Sequence, residues 1–212
     1  IWREDLGYIL DKYNTWSSYA PEDQAVMIAY ASMYGNTENA ANVLAGTLAD
    51  KGVKKIVVYD VSNTDVSELI SEAFRCSHIV LAAPTYNGGI YPKMENFLAD
   101  MKALNVQKRK VAFLENGTWA ATSGKQMAEQ IAALKEMTVI SDALTVKSAL
   151  KEDQYASLEE LAELVNGHSG DATVRGVAGS TWRNDTKGIT PVNLSDGPAG
   201  LRITQKYKDG DQ

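Results

Sequence analysis

The sequence predicts an α/β domain, a doubly wound five-stranded parallel sheet, followed by a short irregular C-terminal tail. Two observations carry this. Short apolar runs alternate with segments whose apolar residues recur at helical spacing, which implies parallel strands joined by helical crossovers. The chain then changes character near Gly167: residues 167–212 hold eight of the sixteen glycines. Their charge balance is +1, against −7 for the rest. This points to a boundary, with a domain over 26–165 and a tail over 166–212.

The composition fits this class. Of 212 residues, 44% are hydrophobic and 23% charged, as in an ordinary globular chain. No stretch reaches the length of a membrane span. No basic start with an apolar run behind it marks a secretory signal, so a cytoplasmic location is expected. The first residue is not Met, so the chain reads as a piece of a longer polypeptide. A net charge of −6 argues against a nucleic-acid partner, whose phosphates would be repelled. The lone cysteine, Cys76, excludes a disulfide framework and reads as a small core residue.

Residues 1–25 read as a helix, with Leu6, Ile9, Leu10 and Tyr13 at helical spacing, and then a linker. Val26–Ala31 is an apolar run, hence a buried strand. Glu38–Asp50 is helical and stops at Lys51-Gly52. Ile56–Tyr59 is the second strand. Asp65–Phe74 is a helix whose candidate caps are Asn63, Thr64 and Asp65. Ile79–Ala83 is the third strand. Pro92–Leu104 is a helix with Pro in the first turn, where its missing N–H does no harm. Val111–Leu114 is the fourth strand and Gly124–Leu134 the next helix. The fifth strand runs from Val139-Ile140 up to Val146, and Tyr155–Val165 is the last helix.

In a doubly wound sheet, ligands bind beyond the carboxyl ends of the strands. Three loops there carry the chemistry. Ser32-Met33-Tyr34-Gly35-Asn36-Thr37 joins the first strand to a helix. A helix start offers unpaired N–H groups and the positive end of its dipole, which suit a phosphate. Ser32, Asn36 and Thr37 add neutral donors. The loop lacks the Lys of a Walker sequence and the spacing of a Gly-x-Gly-x-x-Gly fingerprint. Pro84-Thr85-Tyr86-Asn87-Gly88-Gly89 follows the third strand; its two glycines let a flat ring lie against the backbone, and Tyr86 offers an aromatic face. Glu115-Asn116-Gly117-Thr118-Trp119 follows the fourth, where Trp119 can stack on a ring system. Taken singly, each loop has a plainer reading: a capped helix start, an Asn-Gly turn, a surface Trp. Together they suit a ligand with one phosphate and one large flat ring. No second phosphate site is visible, which favours FMN over FAD or NAD.

These stretches, with Ala83 and Gly89-Ile90-Tyr91-Pro92, resemble the flavodoxin-like FMN domain of flavodiiron proteins (A-type flavoproteins). The resemblance covers residues 1–165. Ile1-Trp2-Arg3 and the helix after it look like the end of that family's diiron domain. The family's last iron-binding histidine precedes that point, so no residue here is expected to bind iron; His78 and His168 read as structural or solvated. The resemblance implies electron transfer within an O2- or NO-reducing oxidoreductase. It implies a donor such as a rubredoxin or a flavin reductase, a diiron domain as acceptor, and a homodimer.

The tail resembles the N-terminal region of glycoside hydrolase family 3 β-glucosidases. Gly176-Val177-Ala178-Gly179-Ser180-Thr181 and Val192-Asn193-Leu194-Ser195-Asp196-Gly197-Pro198-Ala199-Gly200-Leu201-Arg202-Ile203 carry that likeness. It implies that Asp196 contacts sugar. The alternative reading is therefore a β-glucosidase fragment fused to a flavodoxin-like domain. The family's nucleophile and acid/base are not in this sequence, and retaining hydrolysis needs two placed carboxyl groups. No hydrolysis is expected.

Overall fold

The computed structural model describes residues 3–167 and two dipeptides, Gly179–Ser180 and Asn193–Leu194. The chain divides into two units, Ile1–Val165 and Asn166–Gln212. In the second, β8 (Gly179–Ser180) and β9 (Asn193–Leu194) pair antiparallel. Asp196 and His168 lie outside the described residues.

In the first unit, α1 (Leu6–Ser17) is followed by β1 (Asp23–Tyr30), α2 (Asn36–Asp50), β2 (Ile56–Asp60) and α3 (Val66–Arg75). Next come β3 (Cys76–Tyr86), β4 (Gly89–Ile90), α4 (Pro92–Ala103), β5 (Lys110–Asn116) and α5 (Ser123–Ala132). Two short strands, β6 (Thr138–Val139) and β7 (Leu144–Val146), precede α6 (Tyr155–Asn166). The sheet order is β2-β1-β3-β5, with β6 and β7 both parallel to β5. The chain thus moves outward one way from β1 to β2, then crosses back to β3, which leaves a crevice at the carboxyl ends of β1 and β3.

The inner strands β1, β3 and β5 are buried on both faces, so they read as continuous apolar runs, yet their side chains still alternate. Met27, Ala29, Ile79, Leu81, Val111 and Phe113 join Leu69 of α3, Phe97 of α4 and Met127 of α5 in one core. Val26, Ile28, Val80 and Ala112 join Leu44 of α2 and Leu161 of α6 on the other face. A one-residue slip in any inner strand would exchange the two sets. Truncating Phe113, which has no exposure, to Ala would cost about 3–5 kcal/mol.

Asp65 is the cap of α3 and accepts from the Ser67 N–H at 2.9 Å. Pro92 is in the first turn of α4. Three features differ from the sequence expectation. First, β1 begins at Asp23 within the presumed linker, because Lys55 and Arg75 hold the Asp23 carboxylate. Second, β3 runs on to Tyr86: Pro84 pairs with Asn116, and Thr85 and Tyr86 turn back onto β4 through Asn87-Gly88. Both loop residues have positive φ, 50° and 73°, as a tight hairpin turn needs. Third, the fifth strand is broken. Residues 140–143 separate β6 from β7 where α5 comes closest: a Cβ on Gly124 would lie 2.4 Å from that of Ala143. The helix forms α1 as expected, but its apolar stripe is not covered, and it has no buried residue among those described.

Candidate cofactor-binding cleft

A cleft of about 400 Å³ opens at the carboxyl ends of β1, β3 and β5, within the usual size range for small-molecule sites. It collects residues from all three sequence-predicted loops: Ser32, Met33, Tyr34, Asn36 and Thr37; Pro84, Thr85, Asn87 and Gly88; Asn116, Gly117, Thr118 and Trp119. Ala120 and Ser148 complete the lining. Sequence reasoning missed both. Ser148 stands some thirty residues past the third loop in a segment without a motif.

At one end, the α2 start is built to leave donors free. Gly35 is its N-cap, with φ 85°, and the first turn has no side-chain cap. The Ser32 hydroxyl accepts from the Gly35 N–H at 3.0 Å, which folds the loop and keeps its own proton available. Thr37 is 2% exposed as a residue, and its hydroxyl has no partner among the described residues; its oxygen is not sealed in the core but opens on the cleft. A hydroxyl that opens on a cleft and has no protein partner is free to bond a ligand. A ligand oxygen in the cleft would supply the missing partner. None of the described lining residues is Lys, Arg, Asp or Glu. The donor set of hydroxyls, an amide and a helix start fits a phosphate.

At the other end, Thr85 is half-buried and fixes the walls. Its hydroxyl accepts from the N–H groups of Thr122 and Ser123, at 3.0 and 3.2 Å, and so caps α5 from another loop. Gln126 Nε2 and Thr122 Oγ1 donate to the Gly88 carbonyl at 2.8 and 3.0 Å. The hairpin turn is therefore held rigid beside the cleft. Trp119 projects with 99% exposure, and Tyr34 with 87%. Such bare rings at the mouth of a cleft are available to stack on a flat ligand.

Three sequence-predicted residues do not line the cleft. Tyr86 turns its ring onto Tyr91, edge to face, with centroids 6.0 Å apart. The Glu115 carboxylate is buried and accepts from the Gly124 N–H and the Thr145 hydroxyl, both at 2.7 Å. Gly35 shapes the first loop through its backbone, as the N-cap of α2. Strand alternation explains Glu115, which points to the helix side while Asn116 points to the cleft.

His78 lies far down β3, beside the Ser77 hydroxyl at 2.8 Å, and burial pushes its pKa down to about 4. Burial raises the Cys76 thiol to about 11, so it stays protonated and unreactive. Among the described residues no His, Cys, Asp and Glu side chains cluster as a metal site would require. Nor is any described helix long and apolar enough to cross a membrane.

Known proteins place this architecture. The flavodoxin domain family matches residues 27–162. An uncharacterised protein of Methanocaldococcus jannaschii is 30% identical over 164 residues, 77% of this chain and 41% of that protein. A nitric oxide reductase of Moorella thermoacetica is 28% identical over 173 residues, 81% of this chain and 42% of its own length. The chain therefore spans about two fifths of these relatives. Among solved structures, the rubredoxin oxygen:oxidoreductase of Desulfovibrio gigas superposes with a TM-score of 0.69 at 25% identity, covering 75% of this chain and 39% of that one. The glycoside hydrolase likeness of the tail gains no support from these comparisons. The match over residues 27–162, the sheet order and the cleft agree: this chain belongs to the flavodoxin domain family.

Proposed function

We propose that this chain is the FMN-binding, electron-transferring domain of a flavodiiron-type O2- or NO-reducing protein. The observation that carries the reading is the unpartnered Thr37 hydroxyl at the uncapped start of α2, in a cleft that two exposed aromatic rings also line. Ser32, Asn36 and Thr37 bind the phosphate, with the backbone of Met33, Tyr34 and Gly35 around it. Pro84, Thr85, Asn87, Gly88 and Asn116 through Trp119 enclose the ring. Tyr86 and Glu115 act at one remove, by packing on Tyr91 and by tying the third loop to α5. Bound FMN would supply one- and two-electron chemistry, and the protein would supply orientation and electrostatics. The Thr85 and Gly88 bonds hold the ring walls still, so little reorganisation accompanies a change of charge at the ring. The donor is a rubredoxin or flavin reductase, the acceptor a diiron domain, and the assembly a homodimer in the cytoplasm.

Titration of the chain with FMN tests this. Stacking should quench flavin fluorescence, with a dissociation constant at or below about 1 μM, roughly −8 kcal/mol. Riboflavin, which lacks the phosphate, should bind more weakly. Absence of quenching at micromolar FMN overturns the reading.

A further inference from the structure

We propose that Ser148 is a fourth-segment ligand of the phosphate, closing the cup that the α2 start leaves open; this rests on the FMN reading above. Ser148 follows β7 with φ 68°, a left-handed conformation that L residues adopt uncommonly. Asn116 does the holding. Its Nδ2 donates to the Ser148 carbonyl at 2.8 Å, and its Oδ1 accepts from the Ser148 N–H at 3.1 Å. That clamp grips only backbone. Glycine would satisfy it with less strain, so the clamp does not account for a serine.

What the serine adds is a hydroxyl in the cleft. Asn36 Nδ2, in the first turn of α2, donates to Ser148 Oγ at 3.4 Å. The acceptor side of the hydroxyl is thereby engaged, and its proton has no acceptor among the described residues. It sits beside the turn that offers Thr37 and the free N–H groups. A phosphate dianion presents three terminal oxygens, and the described lining has no cation to balance them. Donors from the first loop alone approach from one side; Ser148 supplies one from the other. The same contacts join all three parts: Asn36 on the phosphate loop, Asn116 on the ring loop, and Ser148 between them.

The test is fluorescence titration of the whole chain with FMN and with riboflavin, for wild type, Ser148→Ala and Ser148→Gly. Both substitutions should weaken FMN about tenfold, the usual loss for one donor to a charged group. Riboflavin affinity should stay within about twofold. Ser148→Gly relieves the positive φ, so its thermal midpoint should not fall, and a loss of FMN affinity in that variant comes from the hydroxyl. FMN affinity unchanged in both variants, or an equal loss for riboflavin, overturns the assignment of Ser148 while wild-type FMN binding leaves the parent reading standing. Failure of the wild type to bind FMN overturns both.

Discussion

At the carboxyl ends of the strands several hydroxyls keep bonds to give, whereas at the amino ends the buried side chains of Ser77, Gln107 and Arg109 are bonded within the protein. Below the sheet, Arg109 is 1% exposed, and its guanidinium donates to the carbonyls of Ala73, Tyr19, Phe74, Gln107 and Lys108. Arg75 joins Asp23 to Glu72, and Ser77 bridges the Ala25 backbone. Above the sheet, the hydroxyls of Ser32, Thr37 and Ser148 have protons without an acceptor among the described residues. Both ends are rich in polar side chains. What separates a structural end from a functional one is whether the valences close within the protein.

Four measurements can break or sharpen that contrast. Arg109→Met should have the largest effect. It strips donors from several carbonyls at once, including those at the end of α3, and should lower stability by about 3–5 kcal/mol, read as a shift in urea midpoint. That is a large part of a typical domain's stability. If the variant is as stable as wild type, the lower end is not the closed structural network described.

Thr37→Val should do the reverse. It replaces a cleft-facing hydroxyl with no partner in the protein by a methyl of similar shape, so the ligand-free chain should keep its stability within about 1 kcal/mol. FMN affinity should fall by roughly 1.5–3 kcal/mol, about tenfold or more. A loss of stability without ligand would mean that the hydroxyl belongs to the fold.

His78 gives a smaller and pH-dependent effect. Burial is the main cause of its lowered pKa, and Lys110 adds to it. The folded protein therefore binds this proton less readily than the unfolded chain does. The stability it contributes is complete above the unfolded value near 6.5 and is lost as pH falls through about 4. His78→Gln should flatten the stability profile in that window by about 1–2 kcal/mol, because solvent screens part of the shift. An unchanged slope would show that His78 titrates normally.

Lys125→Ala is the smallest. Its pair with Glu129 is 3.8 Å long and exposed. Its removal should change stability by no more than about 0.5 kcal/mol and leave FMN binding alone.

Much of this was legible in the sequence. Apolar runs and helical spacing located every inner strand, and Asp65 and Pro92 marked two helix starts through local chemistry alone. The three loops were legible because each directly follows an apolar run. What sequence could not show was side-chain direction and distant pairing. Glu115 and Asn116 are neighbours that face opposite sides of β5. The edge-to-face contact of Tyr86 with Tyr91 is likewise a matter of side-chain direction. Asp23 looked like turn sequence because Lys55 and Arg75, which make it a strand residue, are 32 and 52 positions away. Ser148 reaches the cleft only through the clamp of Asn116 across 32 residues.

The neutral lining of the cleft has a kinetic side. Lysines or arginines would draw in an anion from a distance, and added salt would slow its arrival. Hydroxyls and amide dipoles act only at contact. The chain as a whole carries −6 and repels a dianion on approach. Raising ionic strength would screen that repulsion, so association with FMN should quicken with salt, the opposite of a phosphate captured by cations.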